Sequence, residues 1–129
     1  MTDVLVIDDD AAIRDVLHDV LTEAGYAVTL AVSGQQGLDR IRQASPPAVV
    51  LLDYFMPGLD GLQVLQVIRS DAELHRHAYI FLTGEERRFP EELTTMLAEL
   101  RIPTVRKPFN LDEVLQTVAR ATARLEQPE

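Results

Sequence analysis

The stretch "VLVIDDD", residues 4–10, runs from four apolar residues directly into three consecutive aspartates. The apolar residues are typical of a buried strand, whereas neighbouring carboxylates repel one another. Two unit charges about 4 Å apart repel by roughly 4 kcal/mol at an effective dielectric constant near 20. Because a whole domain is stable by only about 5–15 kcal/mol, we expect a compensating positive charge where this strand ends.

The composition limits the classes of protein to be considered. The chain has 129 residues, which suits one domain with a substantial core, and a formal net charge of −9. Such a surface repels phosphates and anionic lipids, so neither direct nucleic-acid binding nor membrane insertion is expected. The lack of cysteine excludes disulfides and thiolate metal sites. With no signal-peptide pattern and no apolar run of membrane-spanning length, we expect a cytoplasmic protein.

Strand-like and helix-like patterns alternate along the chain. The continuous apolar runs at residues 4–7 and 48–52 are typical of strands buried on both faces of a parallel sheet. Further strands are predicted at residues 26–32, 79–82 and 103–106. Apolar residues at helical spacing predict the five helices (Ile13, Val16, Leu17, Val20 and Leu21; Leu38 and Ile41; Leu62, Leu65 and Ile68; Leu93, Met96, Leu97 and Leu100; Leu111, Val114, Leu115, Val118 and Ala119). This alternation predicts an α/β fold, a doubly wound parallel sheet with helices on both faces.

Several polar residues and one proline are predicted to have structural roles. Asp10 is predicted to cap the first helix, and Asp60 is assigned to turn and cap chemistry rather than to a metal site. Pro90 is predicted to be the first residue of its helix. His75 and His77 are predicted to lie in a surface loop, because no third metal ligand is near them in sequence.

Polar side chains follow four of the five predicted strands, at the edge where such sheets bind ligands. They are Asp8 and Asp9 after the first strand, Asp53 after the third, Thr83 after the fourth and Lys107 after the fifth. Three carboxylates in one cleft favour a hard divalent cation such as Mg²⁺, and the lysine adds a fixed positive charge. A carboxylate beside a metal ion, an ammonium and a hydroxyl is equipped to accept a phosphoryl group.

Four segments resemble, in order and spacing, the signature segments of response-regulator receiver domains of two-component systems: "VLVIDDD", "LLDYFMPGLDG", "FLTG" and "VRKPF". The resemblance covers nearly the whole chain. It implies a CheY-like, flavodoxin-like (βα)5 fold with strand order 2-1-3-4-5, and a cis peptide between Lys107 and Pro108. We expect the receiver domain to span residues 1–125, with residues 126–129 as a frayed tail or the start of a linker.

The resemblance also implies the roles of the site residues. Asp53 is the phosphoacceptor, and the phosphoryl oxygens contact Thr83 and Lys107. The ion, Mg²⁺ or Mn²⁺, is held by Asp53 together with three further ligands: Asp8, Asp9 and the backbone carbonyl of Phe55. A histidine kinase or histidine phosphotransfer protein is the implied donor. A downstream effector or an output domain outside this chain is the implied receiver of the signal, with a dimer formed on phosphorylation as a further implied outcome. Such a protein catalyses only its own phosphorylation and dephosphorylation.

Three other functions fit parts of the sequence. An aspartate-nucleophile phosphatase of the dehalogenase-like class resembles Asp-x-Asp after its first strand, whereas "DYF" at residues 53–55 lacks the second aspartate. A flavodoxin-like nucleotide binder needs a phosphate-cradling loop after the first strand, whereas "DDDAAIR" would repel phosphate. A receiver-like interaction module that is never phosphorylated stays open as an alternative.

The sequence departs from the family pattern on the fifth strand. Thr104 occupies a position that often holds an aromatic residue, whose ring in the family moves into the space left when the hydroxyl at the position of Thr83 shifts. Thr104 is too small for that movement. We therefore predict that the loop at residues 84–90, which contains Phe89, and the helix after it carry the response instead.

Overall fold

The computed structural model describes residues 2–84 and 89–127. Within them, five parallel strands form one sheet of order β2-β1-β3-β4-β5. The strands are β1 (Asp3–Ile7), β2 (Ala27–Ala31), β3 (Val49–Asp53), β4 (Ala78–Thr83) and β5 (Thr104–Arg106). The helices are α1 (Ala11–Glu23), α2 (Gly34–Gln43), α3 (Gly61–Ser70), α4 (Glu91–Glu99) and α5 (Leu111–Glu126), with a short 3-10 helix (Ala72–Arg76) before β4. The predicted doubly wound α/β fold and strand order are confirmed.

The sheet separates two apolar cores. Side chains of α2, α3 and α4 cover one face, and those of α1 and α5 cover the other. Successive residues of β3 alternate between the two cores, with Val50 and Leu52 on the first side and Val49 and Leu51 on the second. Both faces of the central strands are therefore buried, which explains why their sequences are continuously apolar rather than alternating.

Both predicted aspartate caps are present, and the proline prediction is wrong by one residue. The Asp10 carboxylate accepts the N–H of Ala12 at 2.9 Å at the start of α1. Asp60 and Gln63 form a reciprocal capping box at the start of α3. Pro90 has extended backbone and stands at the N-cap, so α4 begins at Glu91.

The prediction for His77 is wrong, because this side chain lies in the interior. Only 5% of the residue is exposed. Its Nδ1 accepts the backbone N–H of Ala48 at 2.9 Å, and its Nε2 lies 3.0 Å from the carbonyl of Ile41. An acceptor at one nitrogen and a carbonyl at the other require a neutral ring protonated at Nε2. His75 is exposed as predicted, on the 3-10 helix that the sequence pattern did not predict.

Two apolar residues assigned to helix cores are instead on the surface. Val16 of α1 is 45% exposed and Leu111 of α5 is 38% exposed, because the two helices bury other positions of the same pattern against the sheet. These two residues belong to a continuous apolar surface beside the carboxyl edge of the sheet, which we call the α1–α5 patch (Ala12, Ile13, Val16, Phe109 and Leu111).

Four further features bear on the predictions. The Lys107–Pro108 peptide is cis, as the resemblance implied, and so is Ser45–Pro46. Helix α5 continues to Glu126, the first residue of the expected tail, and the domain boundary itself stays a prediction. Of the loop at residues 84–90, positions 85–88 lie outside the described residues. Among the helices that the structure describes, none is long and apolar enough to cross a membrane.

Candidate functional site

The parallel register of the strands brings the predicted site residues to one edge of the sheet. Asp53 is the last residue of β3, and the register of β1 with β3 places Asp8 beside it. On the other side of the site, the backbone N–H of Lys107 donates to the carbonyl of Thr83 at 2.6 Å. Four of the predicted residues, from four different strands or strand ends, therefore meet at the carboxyl edge.

Lys107 joins the two buried carboxylates of this edge. Its Nζ lies 3.0 Å from Asp8 Oδ2 and 2.8 Å from Asp53 Oδ1. The side chains of Asp8 and Asp53 are 0% and 6% exposed, respectively, so both ion pairs are shielded from water. Lys107 is also the one lysine in the whole sequence. The compensating charge expected from the opening aspartate stretch is therefore present, 99 residues after Asp8 in the same chain.

Asp8, Asp9 and Asp53 each offer one carboxylate oxygen, and these three atoms lie within 4.8 Å of one another. One ammonium contacts two of these three carboxylates, which leaves an excess of negative charge in a partly buried cleft. Carboxylate oxygens at this spacing are the ligands that a hard divalent cation prefers. The donor set therefore fits a magnesium-type ion. Phe55 lies two residues after β3 and is 47% exposed; the role of its carbonyl stays a prediction.

The pKa values of Asp53 and Lys107 depend on two opposing effects, burial and the ion pairs between them. Burial raises the pKa of Asp53 to about 6, which the hydrogen bond from Lys107 opposes and the neighbouring Asp8 charge reinforces. Burial alone would lower the pKa of Lys107, but its hydrogen bonds to the two carboxylates prevail and raise it. The lysine is therefore a permanent cation, while the Asp53 carboxylate is the group whose charge depends on what else occupies the cleft.

The Thr83 side chain has an unusual environment. Its Oγ1 is buried and has no hydrogen-bond partner among the described residues. Buried hydroxyls are nearly always hydrogen-bonded in folded proteins. An unpartnered donor at the end of β4, beside Lys107, is available to an oxygen atom that enters the cleft.

Two residues beside the site were not predicted. Arg14 donates from Nη1 to the backbone carbonyl of Asp8 at 2.8 Å. Tyr54, directly after Asp53, packs edge-on against Phe89 with ring centroids 4.8 Å apart. Arg14 lies one helical turn after the N-cap of α1. This spacing could have indicated that its side chain reaches back to the end of β1. The contact between Tyr54 and Phe89 has no comparable signal in the sequence.

Comparison with known proteins agrees with this geometry. Residues 4–119 match the family model described as the response regulator receiver domain. The probable chemotaxis protein CheY of Rhizobium etli is 31% identical over 112 residues, which cover 86% of this chain and 84% of that protein. The response regulator MprA of Mycobacterium avium is 37% identical over 126 residues, 98% of this chain and 53% of that protein.

A solved structure shares the fold over nearly its whole length. A CheY-like response regulator receiver domain protein from Methanospirillum hungatei JF-1 has a TM-score of 0.83 at 29% identity, with 96% of each chain covered. The chain spans about half the length of the MprA relatives that it matches. From the family match and these relatives together, the chain belongs to the response regulator receiver domains of two-component signalling.

Proposed function

We propose that this receiver is switched by phosphorylation of Asp53, with a phosphohistidine of a histidine kinase or a phosphotransfer protein as the donor. An Asp53 oxygen attacks phosphorus as the P–N bond of the phosphohistidine breaks, and the electron pair returns to the imidazole. The observation that carries the proposal is the Lys107 ammonium, held within 3.0 Å of both Asp8 and Asp53 at the end of three strands.

Asp53 is the best placed of the three carboxylates to act as nucleophile. The Asp8 oxygens are both engaged, one by the backbone N–H of Asp10 and the other by Lys107. Asp9 is exposed, so water competes for it. Asp53 is almost buried and ends β3, the central strand of the sheet.

A divalent ion, Mg²⁺ or Mn²⁺, is the cofactor that we assign to Asp8, Asp9 and Asp53, with the Phe55 carbonyl as a further ligand. When bound, it neutralises the carboxylates and the oxygens of the entering phosphoryl group. Lys107 provides a second positive charge for those oxygens. The unpartnered Thr83 hydroxyl would donate to one of them, which accounts for a buried polar atom that otherwise has no partner.

The α1–α5 patch suits the approach of the donor. Val16 and Leu111 are exposed apolar side chains on α1 and α5, which begin three residues after Asp8 and four residues after Lys107, respectively. Exposed apolar surface of this kind often marks a protein–protein contact. A donor docked there would bring its phosphohistidine to the carboxyl edge, and the patch would keep water away from the transfer.

The phosphorylated state would change the binding of a partner. That partner is a downstream effector or an output domain outside this chain, and a dimer formed on phosphorylation is a further outcome consistent with the family. We assign the receiver domain to residues 1–125. An interaction module that is never phosphorylated is the alternative, and the experiment below separates the two.

The test is incubation with acetyl phosphate and Mg²⁺, followed by intact mass measurement. The wild-type protein should gain the mass of one phosphoryl group, and Asp53→Asn should not, because an amide is not a competent nucleophile. Asp39→Asn, on the exposed surface of α2, is the matched control and should be phosphorylated like the wild type. Equal phosphorylation of Asp53→Asn would assign the wrong carboxylate, and no mass gain in the wild type would favour the interaction module.

A further inference from the structure

Arg14 is a cation beside the acidic cleft that the phosphoryl-transfer chemistry does not use. It lies in the first part of α1 and is partly buried. Among the described residues, its guanidinium forms no ion pair with any of the three carboxylates. It donates instead to a backbone atom, the carbonyl of Asp8, with Nη1 at 2.8 Å.

This contact completes the set of hydrogen bonds around Asp8. The backbone N–H of Asp8 donates to the carbonyl of Ala31, and its two carboxylate oxygens accept from Asp10 N–H and Lys107 Nζ. The fourth polar atom, the carbonyl, accepts from Arg14. Since Asp8 is 0% exposed, these four partners, and not water, satisfy its polar atoms.

The Asp8 carbonyl belongs to the peptide unit that joins Asp8 to Asp9. Holding that carbonyl fixes the orientation of the peptide plane, and with it the direction in which the Asp9 side chain leaves the backbone. Asp9 is exposed and follows the last residue of β1 by two positions, so the sheet does not hold it directly. Its carboxylate nevertheless has to reach the cluster formed with Asp8 and Asp53.

We propose that Arg14 is a positioning residue for the divalent ion. It clamps the Asp8–Asp9 peptide so that both carboxylates converge on one ion, and it does so through a hydrogen bond rather than through its charge. The inference rests on the proposed function, because it assigns a role to Arg14 only if the cleft binds a cation.

The sign of the effect on metal affinity separates this role from the alternatives. A positive charge near the cleft repels a dication, so removing it would tighten binding if charge were all that mattered. Removing the clamp should weaken binding, since loss of a group that orients a metal ligand commonly costs 10–100-fold in affinity. A residue that only stabilised the fold would lower the melting temperature and leave the affinity of the folded protein unchanged.

The experiment is calorimetric titration of the folded protein with MgCl₂ for four proteins: wild type, Arg14→Met, Arg14→Lys and Arg120→Met. Arg14→Met keeps the length of the stem but removes the charge and all the donors. Arg14→Lys keeps the charge and one kind of donor without the planar fork. Arg120 is exposed on α5, so Arg120→Met makes the same change in net charge away from the cleft.

We expect the Kd for Mg²⁺ to rise by about 10-fold or more in Arg14→Met and by less in Arg14→Lys, with Arg120→Met close to the wild type. Arg14→Met that binds Mg²⁺ as tightly as the wild type, or more tightly, overturns the proposal. If Arg14→Met does not fold, wild type and Arg14→Lys carry the test, and equal Kd values for these two overturn it.

Phosphorylation by acetyl phosphate distinguishes failure of this inference from failure of the proposed function. At saturating Mg²⁺ the Arg14 variants should regain the wild-type extent of phosphorylation, because the clamp acts on metal affinity and not on the nucleophile. A defect that persists at saturating Mg²⁺ overturns the clamp role. A wild type that binds Mg²⁺ but is never phosphorylated contradicts the proposed function and leaves the role of Arg14 in metal binding in place.

Discussion

The two edges of the sheet, at the carboxyl and the amino ends of its strands, differ in whether their polar groups have partners. At the carboxyl edge, one ammonium contacts two of three clustered carboxylates, and the Thr83 hydroxyl is buried without a described partner. At the amino edge, both nitrogens of His77 have partners on the backbone of other elements. Beside it, Arg76 donates to the carbonyls of Glu73, Ile41, Arg42 and Ala44.

This difference distinguishes a candidate binding site at the carboxyl edge from a structural hydrogen-bond network at the amino edge. The hydrogen bonds of His77 and Arg76 tie the segment between α2 and β3 to the start of β4, and they are complete without any ligand. The groups at the carboxyl edge are not complete without a ligand. They carry more negative charge than Lys107 neutralises, and the Thr83 hydroxyl has no described acceptor. Each edge can be tested by the response of its groups to substitution, metal and pH.

The largest effect is expected from Lys107→Met in the absence of Mg²⁺. The substitution removes the one ammonium from two buried carboxylates, and breaking a buried pair in this way typically costs about 3–5 kcal/mol. We expect the free energy of unfolding in urea to fall by about 3 kcal/mol, and Mg²⁺ to restore part of the loss. A change within 0.5 kcal/mol, the range of an ordinary surface substitution, would show that the carboxylates tolerate one another without the lysine.

The next effect is stabilisation by Mg²⁺ itself. Binding to the folded state alone raises the free energy of unfolding by about 2.7 kcal/mol at a hundredfold excess over Kd. Asp9→Ala should show a smaller shift and should keep its stability without metal, since a like charge is removed. His77→Gln at the opposite edge should keep the full shift. Thermal melts with and without Mg²⁺ measure this, and equal shifts in wild type and Asp9→Ala would contradict the metal assignment.

At the amino edge, stability should depend on pH through His77. Burial, and then the charge of Arg76, lower the pKa of His77 below its usual 6.5. The unfolded state therefore takes up a proton first as the pH falls. The contribution of the neutral ring is complete above about pH 6.5 and is lost as the pH falls below it, by at most about 1.4 kcal/mol per pH unit.

Urea unfolding at several pH values between 5 and 7.5 tests this. His77→Gln keeps an acceptor and a donor but cannot be protonated, so it should gain stability relative to the wild type as the pH falls. His18→Gln removes an imidazole on the surface of α1 and is the matched control. A constant difference between wild type and His77→Gln across this range would mean that folding does not lower the pKa of the ring, which contradicts its buried, neutral state.

The smallest effects concern the surface from which a signal would leave. Phe89 is half-buried against Tyr54 and Phe81, whereas Thr104 of β5 is exposed. We expect Phe89→Ala to lower the free energy of unfolding by about 1–2 kcal/mol, part of the cost of truncating a fully buried ring, and Thr104→Ala to change it by less than about 0.5 kcal/mol. Urea unfolding checks both, and equal effects would remove the distinction between the two positions.

The carboxyl edge could be predicted from the sequence because its residues follow recognisable apolar runs. Parallel strands end at one edge, so Asp8, Asp53 and Lys107 had to come together once their strands were identified. The amino edge could not be predicted in this way. The partners of His77 lie 29 and 36 residues earlier in the chain, and no periodic pattern links a side chain to a distant backbone atom.

The exposure of individual side chains could not be predicted from the sequence pattern either. The helical spacing of α1 is correct, but the same spacing does not tell whether Val16 faces the sheet or the solvent. In the same way, Phe89 was predicted to respond as part of its loop, but its contact with Tyr54 depends on how α4 packs against the end of β3. These features require the three-dimensional arrangement of elements and not only their existence.

We expect a phosphoryl group on Asp53 to act on α4 through the contact of Tyr54 with Phe89 and not through β5, in line with the response predicted for residues 84–90 and the helix after them. Amide hydrogen exchange with Mg²⁺ alone and with Mg²⁺ plus beryllofluoride, a phosphoryl mimic, tests it most directly. We expect altered protection at residues 53–61 and also at residues 84–100, with the second change lost in Phe89→Ala and kept in Thr104→Ala. Changes confined to residues 8–10 and 53–61 in the wild type would contradict it.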